Sequence, residues 1–302
     1  MRKITFTILL FVAIPAIACI NESYSFEEEY QLDTGQSPVE FLRDQMDAQP
    51  SDKLVGPKNG QVYSADLDAA FVASQHEAVR DIYSGNYNAA IEKLQAIETT
   101  HPGHYGTAAN LGTAYELAGD NKNALRWISE GVKRNKDSHQ GTEWLHKKIL
   151  EARIAMESNP DYLKASPILP VNDDHTVWPT MELAQSWMKA LHFQLGERML
   201  FVKPEDPVVA DLLYSFAALE ANTKSPGPAI ELLKLSREYG YHDTAGLDEK
   251  LAQYRKAYAA QEIKQWIKAL AGLAVLCVFA LLFYFAIRSV VRRLDPILNP
   301  AE

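Results

Sequence analysis

Gly85–Asn86–Tyr87–Asn88–Ala89–Ala90 is restated 34 residues later as Gly119–Asp120–Asn121–Lys122–Asn123–Ala124. The register extends outward from this pair: Ala78 maps onto Gly112, Leu94 onto Ile128 and Ile97 onto Gly131. Apolar residues recur at helical spacing on either side of each glycine, so each copy reads as two helices joined at that glycine. Small residues such as Gly112 and Ala124 let antiparallel helices approach closely, while Tyr115 and Ile128 fill the space between them.

Leu111–Gly112, Tyr115, Gly119, Ala124 and Ile128, with Pro102 closing the first copy, resemble the tetratricopeptide repeat, whose period is about 34 residues. The copy at 105–138 matches well and the one at 71–104 is degenerate. In the first copy, Phe71, Ala78, Val79, Ile82 and Tyr83 form a stripe turned by about one residue, with Glu77 and Asp81 at positions the family uses for packing. A third hairpin, at 207–239, carries Ala229 and Leu233 but has a lengthened, proline-rich turn at Asn222–Pro228. The resemblance implies an all-α fold: a helical hairpin solenoid in two units, followed by a single C-terminal transmembrane helix. It also implies a concave face on which a protein or peptide partner would be met by first-helix residues, here Asn110, Thr113, Glu116 and Leu117. Thr113 and Glu116 are expected to be exposed there. Asn110 stands where the carboxylate-clamp type uses asparagine, but Gly106 and Ala109 occupy the clamp's basic positions, which argues against a chaperone-tail clamp.

The ends of the chain decide where such a body would sit. Arg2 and Lys3 precede the uncharged run Ile4–Ala18, which closes on Ala16–Ile17–Ala18, so 1–18 reads as an export signal. Cys19 is either the residue at the cut or a lipobox cysteine with Ala where Leu is usual. The stretch 19–66 is an acidic flexible linker; 21–60 holds nine Asp/Glu, including Glu27–Glu28–Glu29. Within it, Phe41, Leu42 and Met46 make a short apolar stripe expected to dock on the first helices.

The repeat unit spans 67–158, its last helix, at 139–157, being read as a half-polar cap with Trp144, Leu145, Ile149 and Ile154 inward. A proline-rich linker at 159–179 leads to a second helical unit and stalk at 180–265. Its helices fall at 180–201, 207–221 and 228–239, with another starting near Ala245 and running unbroken to Asp295–Pro296. Ala269–Ile287 is uncharged for 19 residues, the length a bilayer requires. Trp266 and Tyr284 stand near its ends and Arg288 follows, which gives a transmembrane helix at 266–288 and a tail at 289–302. With the body translocated, the span acts as a stop-transfer segment. The repeat domain is then extracytoplasmic, on the periplasmic side of a single-pass cell-membrane protein with a cytoplasmic C-terminus.

Chemistry finds little support. A net charge of −9 and the lack of a basic stripe argue against nucleic acid. Two cysteines, both in apolar segments, cannot build a disulfide framework or a zinc site in the body. No phosphate-binding glycine loop, nucleophile elbow or HExxH motif is present, and no cofactor is implied. His101 and His104 lie in an inter-repeat turn. Asp173–Asp174–His175 reads as solvated linker, and Trp178, Trp187, His192 and Phe193 read as core. The sequence thus points to a membrane-anchored interaction scaffold rather than an enzyme, with an accessory subunit of a membrane enzyme or transport complex as the alternative.

Overall fold

The computed structural model describes residues 37–53, 69–171 and 179–298. The export signal, Cys19, Glu27–Glu29, Asp173–Asp174–His175 and Trp178 lie outside the described residues. Eleven α-helices are present and no strand among the described residues: α1 (Pro38–Asp47), α2 (Ala69–Tyr83), α3 (Tyr87–Thr100), α4 (Tyr105–Leu117), α5 (Asn121–Arg134), α6 (Glu143–Ser158), α7 (Tyr162–Ala165), α8 (Met181–Phe201), α9 (Pro207–Thr223), α10 (Pro226–Glu238) and α11 (Thr244–Leu298).

Two hairpins share one turn, 34 residues apart. Gly85 (φ +79°) and Gly119 (φ +85°) take the left-handed conformation that lets a helix close on itself. After each, the next amide reaches back to an equivalent carbonyl, Asn86 N–H to Asp81 O at 2.8 Å and Asp120 N–H to Tyr115 O at 2.9 Å. The second turn gains a cap, because the Asp120 carboxylate accepts from Asn123 N–H at 3.1 Å. Between α4 and α5, Gly112 sits against Ile128. A Cβ there would lie 3.1 Å from the Ile128 nitrogen and collide with its side chain. Ala78, Ile82, Ala90, Leu94 and Leu111 continue the core across α2, α3 and α4. Arg134 ties the hairpins together, holding Glu98 at 2.7 and 2.8 Å and donating to His104 O at 2.9 Å.

Three expectations are corrected by the packing. The first concerns α1, which forms but docks on α8 and α10 rather than on the first helices. Phe41 lies against Gly196, where a Cβ would sit 2.7 Å from the ring's Cζ, and it stacks on His192 at 4.6 Å. Three carbonyls at the C-terminal end of α1 accept from the Lys203 ammonium, those of Met46 and Ala48 at 2.6 and 2.8 Å and that of Gln45 at 3.5 Å. They are the acceptors a helix end leaves unsatisfied.

The second concerns α6, which does not close an array. It packs on α5 and also meets α7, α8 and α9, so Leu145, His146, Ile149 and Leu150 are buried while Trp144 and Ile154 are only half-buried. The segment leading on from it is pinned as well: Leu163, Ile168 and Leu169 are buried, and Asp211 accepts from Ile168 N–H at 2.9 Å. The third concerns the α9–α10 connection, which is short. Ser225 caps Gly227 N–H at 3.3 Å and Pro226 already occupies the first turn of α10, a position where a missing N–H costs nothing.

The described residues up to Asp248 form one compact unit and those from Glu249 onward a second. Helix α11 is continuous and ends two residues beyond Pro296. Every residue from Ile263 to Ser289 is exposed, and this is the one helix among the described residues long and apolar enough to cross a bilayer.

Candidate functional site

The face expected to receive a partner is filled by the chain's own helix α8. Leu200 belongs to the core formed by α2, α3 and α4, with Phe201 and Leu117 packed against it. Phe201 stacks on Tyr83 at 5.7 Å and Phe193 lies 5.4 Å from His139. Asn110 is fully buried, Thr113 is 7% exposed, and the Glu116 side chain is 9% exposed, so the expectation of open groove residues is corrected. Leu117 is half-buried, packed against the cluster to which Leu200 belongs. The physical reason is α8 itself, whose residues from Ala190 to Leu200 are buried apart from Phe193.

Burying so much of a helix brings its polar residues inside, and they meet a charged network that crosses four helices. Glu116 on α4 is gripped by the Arg198 guanidinium of α8 and accepts from His146 Nε2 of α6 at 2.7 Å. The other ring nitrogen of His146 faces Glu143 at 3.2 Å, and the second Glu143 oxygen meets His139 Nδ1. Arg153 lies 3.6 Å from Glu116 and donates to Asp206 at 2.9 Å. Asp206 in turn caps α9 through Val209 N–H at 2.9 Å. Gln194 Nε2 of α8 donates to Thr142 Oγ1 at 3.3 Å.

The charge states follow from this arrangement. Burial by itself would push Glu116 and Glu143 up. The opposing charges outweigh it, Arg198 and His146 on Glu116 and His139 and His146 on Glu143, and hold both well below the usual carboxylate range. Burial would likewise lower His146, yet the two carboxylates raise it to about 9. Two nearby groups shift in the opposite directions. Burial drives Glu197 well above its ordinary value and lowers His192 to about 4, helped by the charge of Lys224. Glu197 Oε2, Thr113 Oγ1, Gln194 Oε1 and Arg198 Nε find no hydrogen-bond partner among the described residues.

The turn feeding this network is left-handed for three residues, His139 (φ 47°), Gln140 (φ 56°) and Gly141 (φ 74°). The first two lack glycine's freedom, a conformation that persists only where its surroundings hold it. His139 is held by Glu143 and lies against Phe193 and Tyr105.

His146 makes stability depend on pH with a definite sign. Its folded value lies above its ordinary 6.5, so its contribution is complete below pH 6.5 and is lost as pH rises toward about 9. The depressed Glu116 and Glu143 contribute above their ordinary 4.5 and lose their share as pH falls through the acidic range. The melting temperature of the detergent-solubilised chain should therefore fall between pH 6.5 and 9. That slope should flatten in His146→Gln, and an equal slope in both proteins would remove His146 as its source.

Every charged member of the network pairs with another, and no group of three metal-ligating side chains suited to an ion occurs among the described residues. His101 and His104 both lie against the Phe71 ring, at 5.1 and 4.5 Å. His192 is core, stacked on Phe41, whereas Trp187 is half-buried. The sequence reading missed Glu143, His146, Arg153 and Arg198. The available signal was charged residues within helices whose apolar pattern leaves little polar face. No family model, no curated protein and no solved structure matches the chain.

Proposed function

We propose that this chain is a membrane-anchored interaction scaffold of the tetratricopeptide type, its helical body exported and held at the outer face of the membrane by a single span. The observation that carries the reading is the combination of stacked helical hairpins with one fully exposed apolar helix at Ile263–Ser289. Exposed apolar area on that scale has no place in water and suits a bilayer. The pattern before Cys19 supports export of the body, and the basic residues after Ile287 support a retained tail. Because α8 fills the concave face, partners of this scaffold engage its outer surfaces, the exposed sides of α3, α5 and α6.

Topology tests the reading. Protease added to intact spheroplasts should digest the body and leave a C-terminal fragment of a few kilodaltons carrying the span. A body that is protected until the membrane is breached would place it on the cytoplasmic side and overturn the proposal.

A further inference from the structure

The end of α5 and the start of α6 leave a cleft of about 300 Å³. Val132 and Gly141 line it with the half-buried Trp144, and Lys136, Lys147 and Lys148 surround it. Trp144, Lys147 and Lys148 follow one another at i, i+3 and i+4, so α6 presents the ring and both ammonium groups on one stripe, and Lys136 reaches in from the end of α5. None of the three lysines forms an ion pair with a described residue, although the chain as a whole carries −9. Two carboxylates share the lining: Glu143 is committed to His139 and His146, and the exposed Glu151 offsets one of the three positive charges.

We propose that this cleft is the docking site for a short acidic peptide segment of a partner protein. The inference rests on the scaffold reading and names the chemistry of its partner. Three lysine ammonium groups outnumber the Glu151 carboxylate around the tryptophan and so complement carboxylates flanking one apolar side chain, and tryptophan is among the residue types enriched at anchoring contacts. The volume sets the scale. At the low end for ligand pockets, about 300 Å³ admits one or two side chains and excludes a whole helix.

The test is fluorescence anisotropy of the full chain in neutral detergent with a labelled pentapeptide, Glu-Glu-Phe-Glu-Glu. Saturable binding is expected that weakens as salt rises. Lys147→Glu combined with Lys148→Glu should reduce affinity at least tenfold. Trp144→Ala should reduce it severalfold while leaving the salt dependence in place. Lys148 is exposed and Lys147 half-buried, and an unchanged melting temperature confirms that the double variant is folded. No binding, or binding indifferent to all three substitutions, overturns the proposal. So does binding that appears only after Glu27, Glu28 and Glu29 are changed to Gln, which would give the cleft to the chain's own acidic stretch. Capture by phosphatidylglycerol vesicles without any peptide binding would assign it to lipid and overturn it too. A photo-crosslinking residue placed in membranes at Trp144 or at the exposed Glu92 separates the two levels. Partner capture at position 92 alone sinks the cleft and leaves the scaffold, whereas capture at neither position sinks both.

Discussion

Glu116→Lys lowers the melting temperature of the full chain in detergent by roughly 6–20 °C. The wild-type carboxylate sits between Arg198 and His146, 9% exposed, with Arg153 at 3.6 Å. A lysine there places a fourth cation among three groups that no longer have their shared anion. Breaking a buried pair by removing one member costs on the order of 3–5 kcal/mol, because the surviving charge is left uncompensated. In a unit of this size each kcal/mol moves the midpoint by about 2–4 °C. Glu116→Gln keeps the shape and part of the hydrogen bonding and should fall between the two. If Glu116→Lys melts like the wild type, α8 does not lie where it has been described.

Gly112→Leu acts on the hairpin rather than on the network. Even a methyl group at this position collides with the Ile128 side chain and comes 3.1 Å from the Ile128 nitrogen. A backbone atom cannot turn aside as a side chain can, so α4 and α5 must separate. Overpacking of this kind costs about 1–3 kcal/mol. Thermal denaturation followed by circular dichroism should show that loss, and Gly112→Ala should show a smaller one. A third substitution, Gly119→Ala, adds a Cβ that meets no atom within 4 Å and acts only through the positive φ, so its loss separates backbone strain from crowding.

The hairpins were legible because their information is local. Gly85 and Gly119 mark the turns, Ala78 and Gly112 mark the close approaches, and the apolar spacing between them announces the paired helices α2 to α5. The long apolar helix was equally plain, since length and lack of charge suffice. The position of α8 was not legible. Its pattern of Ala184, Met188, Leu191 and Leu195 announces a buried helix but does not say against what. Reading Thr113 and Glu116 as exposed followed from assuming that the groove stays open. The corrective signal was weak: Gln194 and Arg198 interrupt an otherwise apolar stretch, and their partners, Thr142 and Glu116, lie far away in the chain. Helix α1 was misplaced for a related reason, because Phe41 meets Gly196 across a separation no periodicity can bridge.

That distance has a bearing on how the body comes to be folded. Glu116 and Arg198 are 82 residues apart, and Met46 waits 157 residues for Lys203. A chain emerging from its N-terminus completes α2 to α6 well before α8 appears, and until then the core of α2, α3 and α4 lacks Leu200, the α8 residue that belongs to it. Contacts this remote in sequence form slowly, since the closing of a long loop must precede any reward. Biogenesis therefore includes an interval in which the first half is shaped but unsealed, and α8 acts as the late-arriving keystone.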